Sequence, residues 1–213
     1  KLNNNCNITI LGNPNCGKTA VFNLLTGMSQ KVSNYPGTTV SSKKSHITIK
    51  NNSYTVIDLP GTYSVVPESI DEKIVTKHLF DLHNDNNRNI LVAVIDSSNI
   101  SRNLFFTSQI VELGIPVIIV LNMIDRVRKR NLSINIDELK KTVNVYDVIP
   151  MCAVTKEGIS DLRDVIYRAS NSSCVFNDRM MDLPDKITTH IEPIKQFLIS
   201  TLNYTESLAI STS

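Results

Sequence analysis

Eight residues do most to limit what this chain can become. Gly12-Asn13-Pro14-Asn15-Cys16-Gly17-Lys18-Thr19 follow a short β-branched run directly and open a helical rhythm. A strand that ends in a GxxxxGK[ST] loop and continues as a helix belongs in a sheet with helices packed on it. Glycines at both ends of the loop let consecutive backbone amides wrap an anion. Lys18 brings an ammonium to the outer phosphates and Thr19 a hydroxyl that can hold Mg²⁺. Asn13, Cys16 and Ala20 complete the expected phosphate-binding segment.

The remaining pattern extends that layer. Residues 7–11, 45–49, 54–57, 90–95, 116–121 and 146–150 read as strands, with helices near 19–25, 71–82, 103–113, 136–142 and 159–169. Asn51-Asn52-Ser53 leaves no room for a crossover helix between the second and third strands, so these two form an antiparallel hairpin. The expected fold is an α/β P-loop NTPase G-domain, a mixed six-stranded sheet, mostly parallel, flanked by helices. The segment 82–89 reads as a polar loop. The rhythm breaks at 171–182 and resumes at 184–202, with Ile187, Ile191, Ile194 and Leu198 on one helical face. This divides the chain into a nucleotide domain, 1–170, and a linker with a partial helical region, 171–213.

Size and composition set limits. A chain of 213 residues buries one α/β core with a small appendage. A net charge of +2 supplies no field for nucleic acid, and none is expected as a partner. Cys6, Cys16, Cys152 and Cys174 are scattered without a CxxC or a Cys/His cluster, so neither a disulfide frame nor a zinc site is suggested, and free thiols are expected. The longest apolar run, 115–121, is too short to span a membrane, so the chain reads as soluble.

Four further segments carry chemistry. Asp58-Leu59-Pro60-Gly61 ends the third strand, where a carboxylate can hold the Mg²⁺ shell and a glycine amide can sense a terminal phosphate. Asn122-Met123-Ile124-Asp125 ends the fifth strand, with Met123 where Lys is more usual. The Asp125 carboxylate can accept from the ring N–H and the exocyclic amine of guanine, a pair that adenine does not offer. Cys152-Ala153-Val154 occupies the place of a second base-contacting loop, with the Ala153 amide available to the guanine oxygen. Between the P-loop and the hairpin, residues 32–40 form a segment able to order around Mg²⁺ and a γ-phosphate, and either Thr38 or Thr39 has the required hydroxyl. Thr62 stands where many G proteins have a Gln that orients water. It is too short for that role, so unassisted turnover should be slow.

Taken together, GNPNCGKTAVFNLLTG, NYPGTTV, DLPGTYSV with SIDE shortly after, and NLFFTSQIVELGIPVIIVLNMID closely resemble the cytosolic G domain of the FeoB ferrous iron transporters. The resemblance covers roughly residues 7–169 and extends to the sequences between the motifs. It implies GTP and GDP as ligands with Mg²⁺ at Thr19, Thr39 and Asp58. It also implies a K⁺ held by Asn15, and catalysis through Lys18, Asn15, Thr39 and Gly61. It makes Asn122 and Asp125 the base readers. The implied partners are a guanine nucleotide, the membrane-embedded Fe²⁺ permease domain of a longer parent chain, and a further copy of this chain. The implied location is the cytoplasmic side of the inner membrane. Thr38 and Ala20 depart from the family's usual residues without removing a ligand.

Other residues have plainer readings. Cys16 lies at a helix N-terminus beside Lys18, a setting that lowers a thiol pKa, although a small filler is the expected role. His46, His78, His83 and His190 lack metal-site spacing and read as surface or hairpin residues. The run 126–130, Arg-Val-Arg-Lys-Arg, reads as a solvated loop.

Overall fold

The computed structural model describes residues 6–27, 31–34, 41–66, 69–83 and 87–172. Their backbone forms β1 (Cys6–Leu11), α1 (Lys18–Thr26), β2 (Lys31–Asn34), β3 (Ser41–Ile49), β4 (Asn52–Asp58), α2 (Ile70–His83) and β5 (Arg88–Asp96). These are followed by α3 (Ile100–Val111), β6 (Val117–Asn122), α4 (Ile124–Lys129), α5 (Ile136–Val143), β7 (Asp147–Pro150) and α6 (Ile159–Asn171). All six expected strands are present, in a sheet ordered β2-β3-β4-β1-β5-β6-β7. A seventh strand, β2, adds a second antiparallel pair at the edge, Val32 opposite Lys43. A segment reading KVSN has too little apolar alternation to announce a strand, because an edge strand is held largely by backbone bonds.

The central parallel strands β1, β5 and β6 bury both faces, which is why β5 and β6 read as apolar runs. On one side Ile8, Ile10, Val56, Val92, Val94, Ile118 and Val120 meet Val21, Phe22 and Leu25 of α1 and Leu162, Val165 and Ile166 of α6. On the other, Leu11, Leu91, Ala93, Ile95, Val117, Ile119 and Leu121 meet Val75 and Leu79 of α2 and Phe106 and Ile110 of α3. The period-two alternation along β1, β5 and β6 sorts side chains between these layers. The chain runs from β1 to β2, β3 and β4 on one side of it and then crosses from β4 to β5 on the other, so the crevice for a ligand lies at the carboxyl ends of these strands.

Three readings change. The run 126–130 is mostly helix α4, since Ile124 and Val127, three residues apart, bury one face against Cys152 and Ile134. The segment 82–89 is helical up to His83 and extended from Arg88. His78 is not a surface residue: its Nε2 lies 3.1 Å from the Oγ1 of Thr9, a buried hydroxyl on β1. Burial lowers the His78 pKa to about 4, with Asp81 opposing and Lys44 reinforcing the shift. The break and helix expected at 171–213 fall outside the described residues beyond Ser172.

Candidate functional site

The loop between β1 and α1 is shaped by backbone that only glycine accepts easily. Gly12 has φ 145° and Gly17 φ 92°, and a Cβ on either would collide with the Val94 carbonyl or the Asn122 amide. The Lys18 side chain is buried and its Nζ donates to the Asn13 carbonyl at 3.1 Å, which curls the ammonium over the loop. Asn13 donates from Nδ2 to the Arg102 carbonyl at 3.4 Å, while its Oδ1 is buried without a partner. Asn15 is exposed, with backbone in the left-handed region at φ 65°. Thr19 and Ala20 are exposed on the first turn of α1.

Asp58 and Thr19 come together because β4 lies beside β1, with Ile10 opposite Asp58. Thr19 Oγ1 donates to Asp58 Oδ2 at 3.2 Å, and Asp58 Oδ1 is buried with no hydrogen bond. Burial raises the Asp58 pKa, against the opposing pull of Lys18, the Thr19 hydroxyl and Lys43. A buried carboxylate with one orphaned oxygen, next to a hydroxyl, is a donor set that suits a hard divalent cation such as Mg²⁺. Gly61 lies so close to the loop that a Cβ there would stand 2.9 Å from the Pro14 nitrogen and 3.0 Å from Lys18 Nζ. The Thr62 amide donates to the Gly12 carbonyl at 3.3 Å, fastening this turn to the P-loop.

The candidate base-reading loops are bound to the same frame. Asn122 is buried at the end of β6 and donates from Nδ2 to the Cys16 carbonyl at 2.9 Å. Its Oδ1 accepts from the Ala153 amide at 3.1 Å. That amide, expected at a guanine oxygen, is thus engaged in holding Asn122, and a bound base would have to share it or draw it away. Met123 takes a left-handed backbone, φ 62°, which turns the chain into α4 and sets Asp125 in its first turn. Asp125 Oδ1 accepts from the Cys152 thiol at 3.4 Å, and Lys129 Nζ lies 3.7 Å from its Oδ2. Val154 is 92% exposed beside them.

The sequence model described as Ferrous iron transport protein B matches residues 6–166 of this chain. The chain belongs to the FeoB family. It is 41% identical over 165 residues to the Fe(2+) transporter FeoB of Escherichia coli K12, which covers 76% of this chain and 21% of that protein. Among solved structures, the cytosolic domain of L. pneumophila FeoB has a TM-score of 0.85 and 33% identity, covering 97% of this chain and 86% of that one. The cytosolic domain of T. maritima FeoB in its GMPPNP form has a TM-score of 0.81 and 36% identity, covering 92% and 75%. The chain therefore spans about a fifth of the length of the curated FeoB relatives it matches, and no helix among the described residues is long and apolar enough to cross a membrane.

Within this FeoB G domain the phosphate, Asp58 and base segments gather at one end of the sheet. Thr38 and Thr39 lie outside the described residues. Cys16 differs from the reading of a lowered pKa: at 1% exposure, burial outweighs the nearby Lys18 and pushes its thiol pKa up. Cys6, Cys16 and Cys152 are free and buried. Sequence reading missed Ser97, whose Oγ donates to the Asn122 carbonyl at 2.6 Å. It also missed the frame around Thr62. The Thr62 hydroxyl donates to the Ser64 carbonyl at 2.7 Å and lies 3.2 Å from Glu72 Oε1. Ser69 and Glu72 exchange bonds to each other's backbone amides, at 3.2 and 3.1 Å. This is a capping box at the start of α2, legible from the spacing of Ser69 and Glu72.

Proposed function

We propose that this chain is the GTP-binding, slowly GTP-hydrolysing regulatory domain of a ferrous iron transport protein, which couples nucleotide state to Fe²⁺ movement through a membrane domain of the parent chain. The observation that carries the reading is the Asn122 side chain, which joins the base-reading loop to the P-loop by one hydrogen bond to the Cys16 carbonyl and so makes base and phosphate subsites one object. Solved T. maritima FeoB cytosolic domains in GDP and GMPPNP forms support it.

The Gly12 to Thr19 loop takes the phosphates on its amides, with Lys18 leaving the Asn13 carbonyl to meet the outer ones. Asp125 accepts both guanine N–H groups, which would leave it unpaired against adenine. Thr19 and Asp58, together with Thr39, would hold Mg²⁺, which would supply positive charge to offset that of the phosphates. Asn15 would supply an oxygen to a K⁺, whose positive charge would substitute for an arginine finger. The Thr62 hydroxyl is committed to Ser64 and Glu72 rather than to an attacking water, in keeping with slow hydrolysis. Loss of the γ-phosphate frees Gly61 and the Thr38 and Thr39 segment, and that change in order is passed to the membrane domain on the cytoplasmic side.

Titration with GTP, GDP and ATP, followed by phosphate release in K⁺ and Na⁺ buffers with Mg²⁺, tests this. Preference for guanine by at least about a hundredfold is expected, with slow release that K⁺ accelerates and that Asn15→Ala makes insensitive to K⁺. Equal affinity for ATP, or binding without any release, would overturn it.

A further inference from the structure

Arg128 and Glu157 form an exposed fork. Nη1 donates to Oε2 at 2.9 Å and Nη2 to Oε1 at 2.7 Å. Each group favours the charged form of the other, the Arg128 pKa being raised and the Glu157 pKa lowered chiefly by their mutual hydrogen bonds. Most surface ion pairs contribute almost nothing, and the exception is a bidentate guanidinium-carboxylate pair between elements that are otherwise rigid.

The two residues are built into the two loops assigned to the base. Arg128 is on α4, one turn after Asp125. Glu157 closes the loop that begins at Cys152: its carbonyl accepts from the Cys152 amide at 3.2 Å, and the two residues form an isolated antiparallel bridge. Inside the fork the loops touch at three further points. The Ile124 amide donates to the Met151 carbonyl at 3.2 Å, the Ala153 amide to Asn122 Oδ1 at 3.1 Å, and the Cys152 thiol to Asp125 Oδ1 at 3.4 Å. The fork is the one cross-link of the four made by two charged, exposed side chains, which are 57% and 42% accessible. It can open and close without disturbing the core. The neighbouring charges do not replace it: Arg126 is 3.9 Å from Asp96, and Lys129 faces Asp125 on its own helix.

We propose that the Arg128–Glu157 pair is a latch joining the two guanine-contacting loops, and that Arg128 and Glu157 are positioning residues which set the rate of nucleotide release. The proposal rests on the guanine-binding reading given above. A base held between α4 and the 152–157 loop leaves when the loops part, so release speeds up as the unlatched population grows. The latch acts on the base end alone, so affinity for the phosphates and the hydrolytic step at saturation stay as they are.

Release of fluorescently labelled GDP into excess unlabelled GDP, followed by stopped flow on the chain with Mg²⁺, tests this. Arg128→Ala and Glu157→Ala should each release about three- to tenfold faster. The double alanine variant should be no faster than either single variant, because only one interaction is lost. The charge swap, Arg128→Glu with Glu157→Arg, should return release to within about twofold of wild type. Raising salt from about 0.05 to 0.5 M should accelerate wild type and leave the double alanine variant nearly unchanged. Single variants that release at the wild-type rate, additive effects in the double variant, or a swap that fails to restore the rate with unfolding midpoints unchanged would each overturn the latch. Failure of the wild-type chain to bind labelled GDP would overturn the guanine reading beneath it, an outcome distinct from wild-type binding with unaltered variants.

Discussion

Replacing Asn122 by Ala would strike the one side chain that ties three loops together. Its Nδ2 satisfies the Cys16 carbonyl at 2.9 Å, its Oδ1 satisfies the Ala153 amide at 3.1 Å, and only 2% of its surface is exposed. Truncation leaves a buried acceptor and a part-buried donor without partners, at about 1–3 kcal/mol each, the donor toward the lower end. A water entering the vacated space would recover part of that, since the pocket is polar. The expected loss is therefore about 2–4 kcal/mol in the nucleotide-free chain, read as a lower urea midpoint at unchanged slope. Asn122→Asp is the sharper test. It keeps the acceptor for Ala153 but sets a carboxylate oxygen against the Cys16 carbonyl, so the nearly isosteric change should cost at least as much as Ala. Saturating GDP should widen the gap in both variants, because bound nucleotide stabilises the wild type more than a variant that binds it poorly. A loss below about 0.5 kcal/mol for Asn122→Ala, the range of an ordinary surface substitution, would refute the bridging role.

Gly61→Ala places a methyl group 3.0 Å from Lys18 Nζ and 2.9 Å from the Pro14 nitrogen, so GTP affinity should fall about tenfold, which isothermal titration would read; a change under twofold would contradict the close approach. His78, lowered by burial from 6.5 to about 4, binds fewer protons folded than unfolded. Stability should therefore fall as pH drops through that window, by about 1.4 kcal/mol at pH 5.5, about 3 kcal/mol at pH 4 and at most about 3.4 kcal/mol at lower pH. His78→Gln should flatten the pH dependence of the urea midpoint between pH 7 and 5, and an unchanged slope would reject His78 as its source. Cys16, buried and with its thiol pKa pushed up, should be alkylated only at the rate of local opening in native protein at pH 7.5. Complete modification within minutes, mapped by mass spectrometry, would show an activated thiol instead.

What could be read from the sequence was what depends on neighbours along the chain. The run 116–121 announces a strand by its apolar residues, and Thr19 and Asp58 announce their chemistry by the strand-loop-helix and strand-end motifs that carry them. What could not be read was what depends on neighbours across the fold. Asn122 and the Cys16 carbonyl are separated by 106 residues, and no local pattern in either segment points to the other. Cys16 shows the same divide in one residue: a helix start and a Lys are visible in sequence and argue for a lowered pKa, whereas the packing that desolvates the sulfur is not. Helix α4 was hidden by its own charges. In IDRVRK only Ile124 and Val127 are apolar, and the partners that give Arg126, Arg128 and Lys129 their places come from Asp96, Glu157 and Asp125.

On the guanine-binding reading, the Asn122–Cys16 hydrogen bond would couple base choice to phosphate binding through the geometry of a single peptide. The carbonyl of Cys16 and the amide of Gly17 belong to one planar unit and point in opposite directions. Asn122 holds that carbonyl outward, toward the base-reading loop, at 2.9 Å. It therefore turns the Gly17 amide toward the inside of the loop, where a phosphate oxygen would sit. Gly17 alone permits this: φ is 92°, and a Cβ would fill the space that the Asn122 amide occupies. Gly12 is held in a similar way, its carbonyl accepting from Thr62 at 3.3 Å, so the turn that carries Gly61 moves with the P-loop or breaks that bond. A P-loop anchored by its carbonyls on both sides needs little reorganisation to present its amides, and on the guanine-binding reading proposed above the 122–125 loop and the Gly61 turn would each be coupled to the phosphates through these bonds.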